Sequence, residues 1–517
     1  MCGPGSPQYS ERRVTSSAAP ASDGPVEGLT EEQLLAAGSR SDAVFIEAGP
    51  GTGKTSVSAH RFAAHRFDPA GDPSRAVVAV SFTRAATSTL KRRVQRLWGP
   101  AALTPPHRIV TLDTLIGDLL HDLLRDGIIE WPNGHSELDV HDSWSTFSGS
   151  TFNRTAYRLS LAGNRVQVEQ GWVRKARPAI PATGIVPRLL SGICTHDDVR
   201  VVLEAAIKVD EFAAYVRDRL CQRLRALIVD EVFDANDLDL AIIEMAMEAG
   251  IATTFVGDPW QALYVFRGAR PEAVRELVAR RSVRVLPLTR SFRWTTEEQR
   301  SLAEELRAGR PGVIPALAAA EVSGCDAVLA LNWKPLWELS ESVLPFAFQS
   351  FRGTHEEAAA TLVLSHVTRT VFGTDATYLR EALTSLAITD DQVLPSLRPA
   401  MQVIMDVLST AHARAPIEAY ELLRAALRGV SPRVLRNPHP AHTGRLRLIQ
   451  QRLVGSAQLI PGLTTHQAKG QEWDLVGFRL TEEQVRILAG GLDPTEEEHR
   501  KLYVGATRAR AATRILH

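Results

Sequence analysis

From position 48 the sequence reads AGPGTGKTSVSAHRF, that is Ala48, Gly49, Pro50, Gly51, Thr52, Gly53, Lys54 and Thr55 followed by helical text. Glycines let backbone N–H groups close around phosphate oxygens, and the helix N-terminus adds its dipole. Lys54 reaches the β- and γ-phosphates, and the Thr55 hydroxyl ligates Mg2+. The general pattern has glycine where Ala48 stands. A second run, ALIV, delivers Asp230 and Glu231 side by side, 176 residues after Lys54. An aspartate there holds Mg2+ directly or through water, and the neighbouring carboxylate polarises the attacking water. The expected cofactors are ATP and Mg2+, and the expected chemistry is ATP hydrolysis. Such hydrolysis also wants arginine on the transition-state charge. Arg293 and Arg508 are candidates, but with 59 Lys plus Arg, composition alone singles out neither.

These groups need strands to carry them. AVFIEA (43 to 48) reads as a buried strand entering the glycine loop, and LTEEQLLAAG before it reads as a short helix with Thr30 and Gln33 at capping-box spacing. Further β-rich runs end in polar text: AVVAVSFT (76 to 83), RIVTL (108 to 112), ALIVDE (226 to 231), ATTFVGD (252 to 258) and VRVLPLTR (283 to 290). Strands alternating with helices imply an α/β fold with parallel sheets, ligands sitting at the carboxyl ends of the strands. Two stretches break the rhythm. Residues 116 to 205 are aromatic and basic, with alternation around Val166, Val168 and Val173 that suggests a hairpin; residues 375 to 455 are helical and rich in Leu and Ala. Both read as insertions.

In order along the chain, these residues resemble the motifs of the superfamily 1A DNA helicases, the UvrD/Rep/PcrA-like group. LTEEQ carries a Q-motif glutamine, AGPGTGKT is similar to motif I in its helicase form, and VSFTRAAT to motif Ia. LIVDEVFDAND, VGDPWQALYVFRGAR, LTRSFR, TTHQAKGQEWD and HRKLYVGATRAR are similar to motifs II to VI. The resemblance spans residues 29 to 514. It implies two RecA-like P-loop domains, each carrying an insertion, with a nucleotide between them. Gln33 would read adenine, Phe292 would lie against it, and Glu472 would contact the sugar or phosphates. Gln261 would sense the γ-phosphate, and Arg293 and Arg508 would reach it from the second domain. The resemblance further implies that Phe82, Tyr264 and Phe266 form base pockets, with Arg267 beside them, while Thr83, Thr111 and His466 touch the DNA backbone. Tyr264 and Phe266 alternate in what reads as extended text and so share a face; aromatic faces stack on any base, which suits a motor that steps over any sequence. The chain departs from the family at Asp113 (usually His), at Ser291-Phe292 (usually Asn-Tyr) and at Phe266 (usually Trp).

The implied division is a tail at 1 to 28; domain 1A at 29 to 115 and 206 to 285, with insertion 1B at 116 to 205; and domain 2A at 286 to 374 and 456 to 517, with a reduced helical insertion 2B at 375 to 455. The resemblance implies a helicase or translocase moving 3′ to 5′ on single-stranded DNA and acting at single-strand/duplex junctions. The short second insertion leaves open an alternative, a DNA-stimulated ATPase sensor regulating a separate nuclease, as in Gabija-type phage defence. A separate repair partner is also compatible, whereas a fused nuclease after motif VI is not expected. A small-molecule P-loop kinase would explain neither motif III nor motifs IV to VI.

Composition bounds the rest. With 517 residues, 44% hydrophobic and 23% charged, the chain is an ordinary multidomain globular protein. Four cysteines, at 2, 194, 221 and 325, are too scattered for an Fe–S or Zn site. No run of 18 apolar residues and no signal core appear, so no membrane partner and a cytoplasmic location are expected. The 59 basic and 59 acidic side chains cancel, excluding a bulk polyanion binder, but they are unevenly placed. Residues 71 to 110 and 151 to 190 each hold seven basic side chains against one acid, while 221 to 258 hold two against eight. A basic track for DNA, weakened by salt, is the expected consequence.

Overall fold

A computed structural model describes residues 28–516 apart from 145–146, 148–150 and 389–392. Of the expected N-terminal tail, residues 1–27 lie outside the described part. Two six-stranded sheets organise the chain, and every strand pair within them is parallel. The first sheet runs in the order Arg284–Leu288, Ala43–Ala48, Ala252–Gly257, Leu224–Asp230, Ala76–Ser81, Arg108–Thr111. Its strands are nearly continuous apolar runs because both faces are covered, as parallel sheets require. Val44, Ile46 and Ala48 enter one core with Val57 and Phe62 of the helix after the glycine loop, while Phe45 enters the other with Val78, Leu227 and Phe255.

The second sheet runs Ala316–Leu317, Ala509–Leu516, Trp473–Arg479, Ala327–Ala330, Ile460–Thr464, Val343–Pro345. Two RecA-like layers therefore stand side by side, and the loop after the strand Ala252–Gly257 joins them. Trp260 and Leu263 of that loop are buried in the second sheet's core, and Arg500 Nε donates to the Ala262 carbonyl at 2.8 Å.

The hairpin suggested around Val166 is a long antiparallel ribbon, Thr151–Ala162 against Arg165–Ala179, closed by Gly163 and Asn164 with Gly163 at φ 61°. A left-handed residue is what so tight a turn demands. Leu159 and Val166 anchor it on the core of the first sheet. Beyond the second sheet lies the helical insertion: Leu379–Ser385, Val393–Leu408, Ala415–Leu427 and Pro440–Gly455. The helix His355–Phe372, ahead of the expected start at 375, packs into the same core. Its residues 357 to 365 are all buried, so it is the central helix of the bundle. At the other boundary, the strand Arg284–Leu288 carries the first sheet past residue 285.

Candidate functional site

The catalytic-looking residues gather because each lies just past the carboxyl end of a strand of the first sheet or on an element of the second that faces it. After Ala48 the chain turns through Gly51 (φ 72°) and Gly53 (φ 84°) into the helix Lys54–Arg66. Both glycines are required twice over. Their φ is left-handed, and a Cβ at Gly51 would meet Arg293 Cβ at 2.5 Å and at Gly53 Gln33 Nε2 at 2.7 Å. Gln33 is buried and donates to the Thr52 carbonyl at 2.9 Å, and Thr52 Oγ1 donates to the Gly49 carbonyl. Lys54 Nζ lies across the loop, 3.2 Å from the Ala48 carbonyl. Burial lowers its pKa, opposed by Glu231, Asp258 and Asp230.

Asp230 ends its strand buried, and its Oδ1 accepts the Glu231 N–H at 3.2 Å. Glu231 has φ 57° and ψ 42°, a left-handed conformation that costs a non-glycine residue about 1–2 kcal/mol. Backbone strain of this kind collects where a side chain must be aimed. Burial and the adjacent Glu231 hold the Asp230 carboxyl above its ordinary range. Burial also acts to raise Glu231, but Lys469 and Lys54 outweigh it and hold Glu231 below. The two neighbours are thus pushed in opposite directions, Asp230 toward its neutral form and Glu231 toward the ionised one.

Just past the strand Arg284–Leu288, Arg293 Nε donates to Glu472 Oε2 at 2.9 Å and Nη1 to the Thr507 carbonyl at 3.1 Å, both partners in the second domain. Ser291 Oγ donates to the Pro50 carbonyl and Phe292 N–H to the Gly51 carbonyl, so the LTRSFR segment is docked on the glycine loop. Phe292 is half exposed, with Arg290 stacked 5.0 Å from its ring centre. Arg508 is fully buried; its Nε donates to the Val504 carbonyl, while Nη1 and Nη2 have no partner among the described residues. Burial, then the neighbouring Arg293, push it down to about 9. Two unpartnered buried guanidinium nitrogens within electrostatic reach of Glu231 and Arg293 suit an anionic group such as a phosphate. Gln261 Nε2 donates to Asp258 Oδ2 at 2.7 Å. Among the described residues no three His, Cys, Asp or Glu side chains gather to hold a metal ion. Mg2+ beside a glycine loop draws instead on a hydroxyl, a carboxylate, phosphate oxygens and water, the donor types that Thr55 and Asp230 offer.

The aromatic pair is close but for another reason than expected. Val265–Arg267 is a 3-10 turn and Tyr264 precedes it at φ −97°, ψ 28°, so the text is not extended. The turn still brings the rings of Tyr264 and Phe266 to 6.0 Å. Arg267 lies 5.2 and 5.5 Å over them, and His466, from the second domain, stands 5.4 Å from Phe266. His466 Nε2 is within hydrogen-bond distance, 3.2 Å, of the Leu263 carbonyl. Phe82 packs partly buried on the first core, and Thr83 and Thr111 cap the helices Arg84–Trp98 and Leu112–Arg125. Asp113, where the family usually has His, is held by Arg200 at 2.7 Å, and that arginine also holds Asp239.

Four participants were not singled out from the sequence. Lys469 Nζ bridges Asp234 (2.7 Å) and Glu231 (3.7 Å) and lies 5.1 Å over the Tyr264 ring. It therefore touches both Glu231 and the Tyr264 ring. Both Lys469 and Asp234 stand inside the quoted motifs, but only their juxtaposition shows their use. Asp258 and Arg307 are the other two.

Two RecA-like layers, a glycine loop on one and buried arginines from the other define a two-domain P-loop NTPase. Residues 31–267 match the family described as "AAA domain", and residues 445–515 match "UvrD-like helicase C-terminal domain". The chain is 26% identical to the ATP-dependent DNA helicase UvrD2 of Mycobacterium tuberculosis over 95% of its own length and 78% of that protein. Similarity to the putative ATP-dependent DNA helicase YjcD of Bacillus subtilis is 24% over 48% of this chain and 34% of the other. For the ATP-dependent DNA helicase Rep of Escherichia coli it is 24% over 44% and 35%. The chain is thus similar to a UvrD-like helicase over nearly its whole length and to Rep over part of it. Among the described residues no helix is long and apolar enough to cross a membrane.

Proposed function

We propose that this chain is an ATP-dependent DNA helicase or translocase, stepping 3′ to 5′ along single-stranded DNA and opening duplex at junctions. The observation that carries the reading is Lys469, which joins Glu231 to the Tyr264 ring and so ties hydrolysis to the strand path. Mg2+, when bound, would supply neutralisation of the charge that develops during phosphoryl transfer. Thr55 and Asp230 would hold it. Lys54 and Arg508 would take the β- and γ-phosphates, and Glu231 would accept the proton of the attacking water. Arg293, locked by Glu472, would close the second domain on the site. Closure and reopening of that cleft would shift His466 against the Tyr264/Phe266 shelf, the elementary step of movement along a strand.

An ATPase assay with and without single-stranded DNA, followed by a forked duplex with a 3′ tail, tests this. DNA-stimulated turnover with strand separation is expected; stimulation without separation at enzyme excess would limit the activity to translocation. Tyr264→Ala should raise the DNA concentration for half-maximal stimulation by about 10-fold or more, since one base stack is worth about 1–3 kcal/mol. DNA-free turnover should change less, and an equal loss in both would make Tyr264 a packing residue. Lys469→Ala should lower stimulated more than unstimulated turnover, by about 10-fold or more, since it leaves buried carboxylates unpaired; the ratio of the two rates is the readout.

A further inference from the structure

Arg307 lies outside all the quoted motifs, on the helix Glu297–Arg307 of the second domain, yet its guanidinium reaches the first domain's nucleotide site. Nη1 donates to Asp258 Oδ1 at 2.9 Å and is 3.5 Å from the Tyr503 hydroxyl; Nη2 is 3.4 Å from Glu47 Oε1. A Cβ on Gly49 would lie 3.4 Å from Nη1, so the group rests on the first glycine of the loop. Asp258 is the hub. Its side chain is completely buried, Oδ1 also accepts the Trp260 N–H, and Oδ2 accepts the Gln261 amide at 2.7 Å. The Trp260 and Tyr503 rings, 4.8 Å apart, wall it in.

We propose that Arg307 is a positioning residue for ATP hydrolysis, seating the second domain on Asp258 and thereby setting whether Gln261 is free to turn toward the nucleotide. The physical argument is one of charge. A buried carboxylate without a cation grips any nearby donor, and a hydrogen bond to a charged acceptor is roughly twice as strong as a neutral one. With Arg307 in place part of the carboxylate's charge is taken up on the Oδ1 side, and the amide, still on Oδ2 at 2.7 Å, is drawn away by a nucleotide's γ-phosphate more readily than from a bare carboxylate. Without Arg307 the bare carboxylate holds the amide more tightly, and Gln261 stays on Asp258. Arg307 comes from the second domain, so the release of Gln261 depends on the two domains meeting. Lysine, a point charge on a flexible stem, cannot hold Asp258 and Glu47 together and replaces arginine incompletely.

This inference rests on the ATPase reading above and deepens it at the same site. The test is steady-state ATP turnover with saturating single-stranded DNA for the wild type, R307A, R307K, Q261A and Q261A/R307A, with melting temperatures alongside. The expected result is a fall in kcat of about 10-fold or more for R307A with a smaller change in KM for ATP, and partial recovery in R307K. In the Q261A background, adding R307A should change kcat by less than about 2-fold, because the residue through which Arg307 acts is already gone. Equal losses in the two backgrounds would show that Arg307 merely holds the domains together and overturn the proposal, as would an unchanged kcat in R307A. If R307A does not fold, R307K and Q261A/R307K make the same comparison. A wild type that hydrolyses ATP without response to DNA would instead overturn the helicase reading, and the Arg307 series would then be read on DNA-free turnover.

Discussion

Glu231→Gln should lower ATP turnover by on the order of 10²–10⁴-fold, the usual contribution of a positioned general base, while ATP binding is kept. The substitution is nearly isosteric. The left-handed backbone at 231 accommodates glutamine as it does glutamate, so the loop between Asp230 and Asp234 keeps its course. What disappears is the ionised carboxylate that Lys469 and Lys54 hold below its ordinary pKa. The glycine loop, Lys54 and Arg508 remain, so the affinity for nucleotide remains with them. Lys54→Ala should differ in kind. It removes the ammonium placed across the loop from Ala48, and both nucleotide binding and turnover should be lost. Equilibrium binding of a fluorescent ATP analogue, measured beside turnover, separates the two. Turnover within 10-fold of wild type in Glu231→Gln would remove this residue from the role of base.

The second large effect is expected at Arg508. Arg508→Ala should reduce turnover by about 10²-fold or more, with ATP affinity changed less, because an arginine on the transferring phosphoryl group acts most strongly in the transition state. Its two buried, unpartnered Nη atoms are the structural reason. In the absence of a phosphate they make no hydrogen bond to the described residues, and burial with Arg293 alongside disfavours their charge by more than Tyr503, Glu472 and Glu231 favour it. The site therefore stores a cost that a phosphate repays. Removing the side chain relieves that cost, so Arg508→Ala should not lower the melting temperature in the absence of nucleotide, and should lose part of the stabilisation that ATP confers on the wild type. An unchanged rate would show that the guanidinium does not reach the reacting phosphate.

The strands of the first sheet were legible to within a few residues because each is a run of apolar residues bounded by polar text, and each ends where a functional loop begins. Ala43–Ala48 and its loop are the clearest case, with strand, turn and helix all written in residue type. The Thr30/Gln33 capping box was likewise visible and is formed. Other features were not legible because they depend on packing between distant segments. Nothing local in HEEAAATLVLSHVTRTVF says that its alanines face the insertion helices rather than the second sheet. Tyr264 and Phe266 obey an alternation that looks extended, yet the chain there must turn to bury Leu263 and Trp260 in the second domain. Lys469 and Arg307 acquire their use only across the interface, from partners 235 and 49 residues away in sequence. Charge was legible in the same partial way. The ribbon's basic residues were evident, as was the acidic stretch around Asp230, but not that Lys469 and Arg307 enter that acidic stretch from the other domain.

The central claim, that hydrolysis at this site drives motion along single-stranded DNA, is tested most directly by displacement of streptavidin from a biotinylated oligonucleotide during ATP turnover. The account predicts ATP-dependent displacement from the 5′ end, faster than from the 3′ end, slowed by added salt and lost in Glu231→Gln. Vigorous DNA-stimulated turnover with no displacement from either end would contradict it.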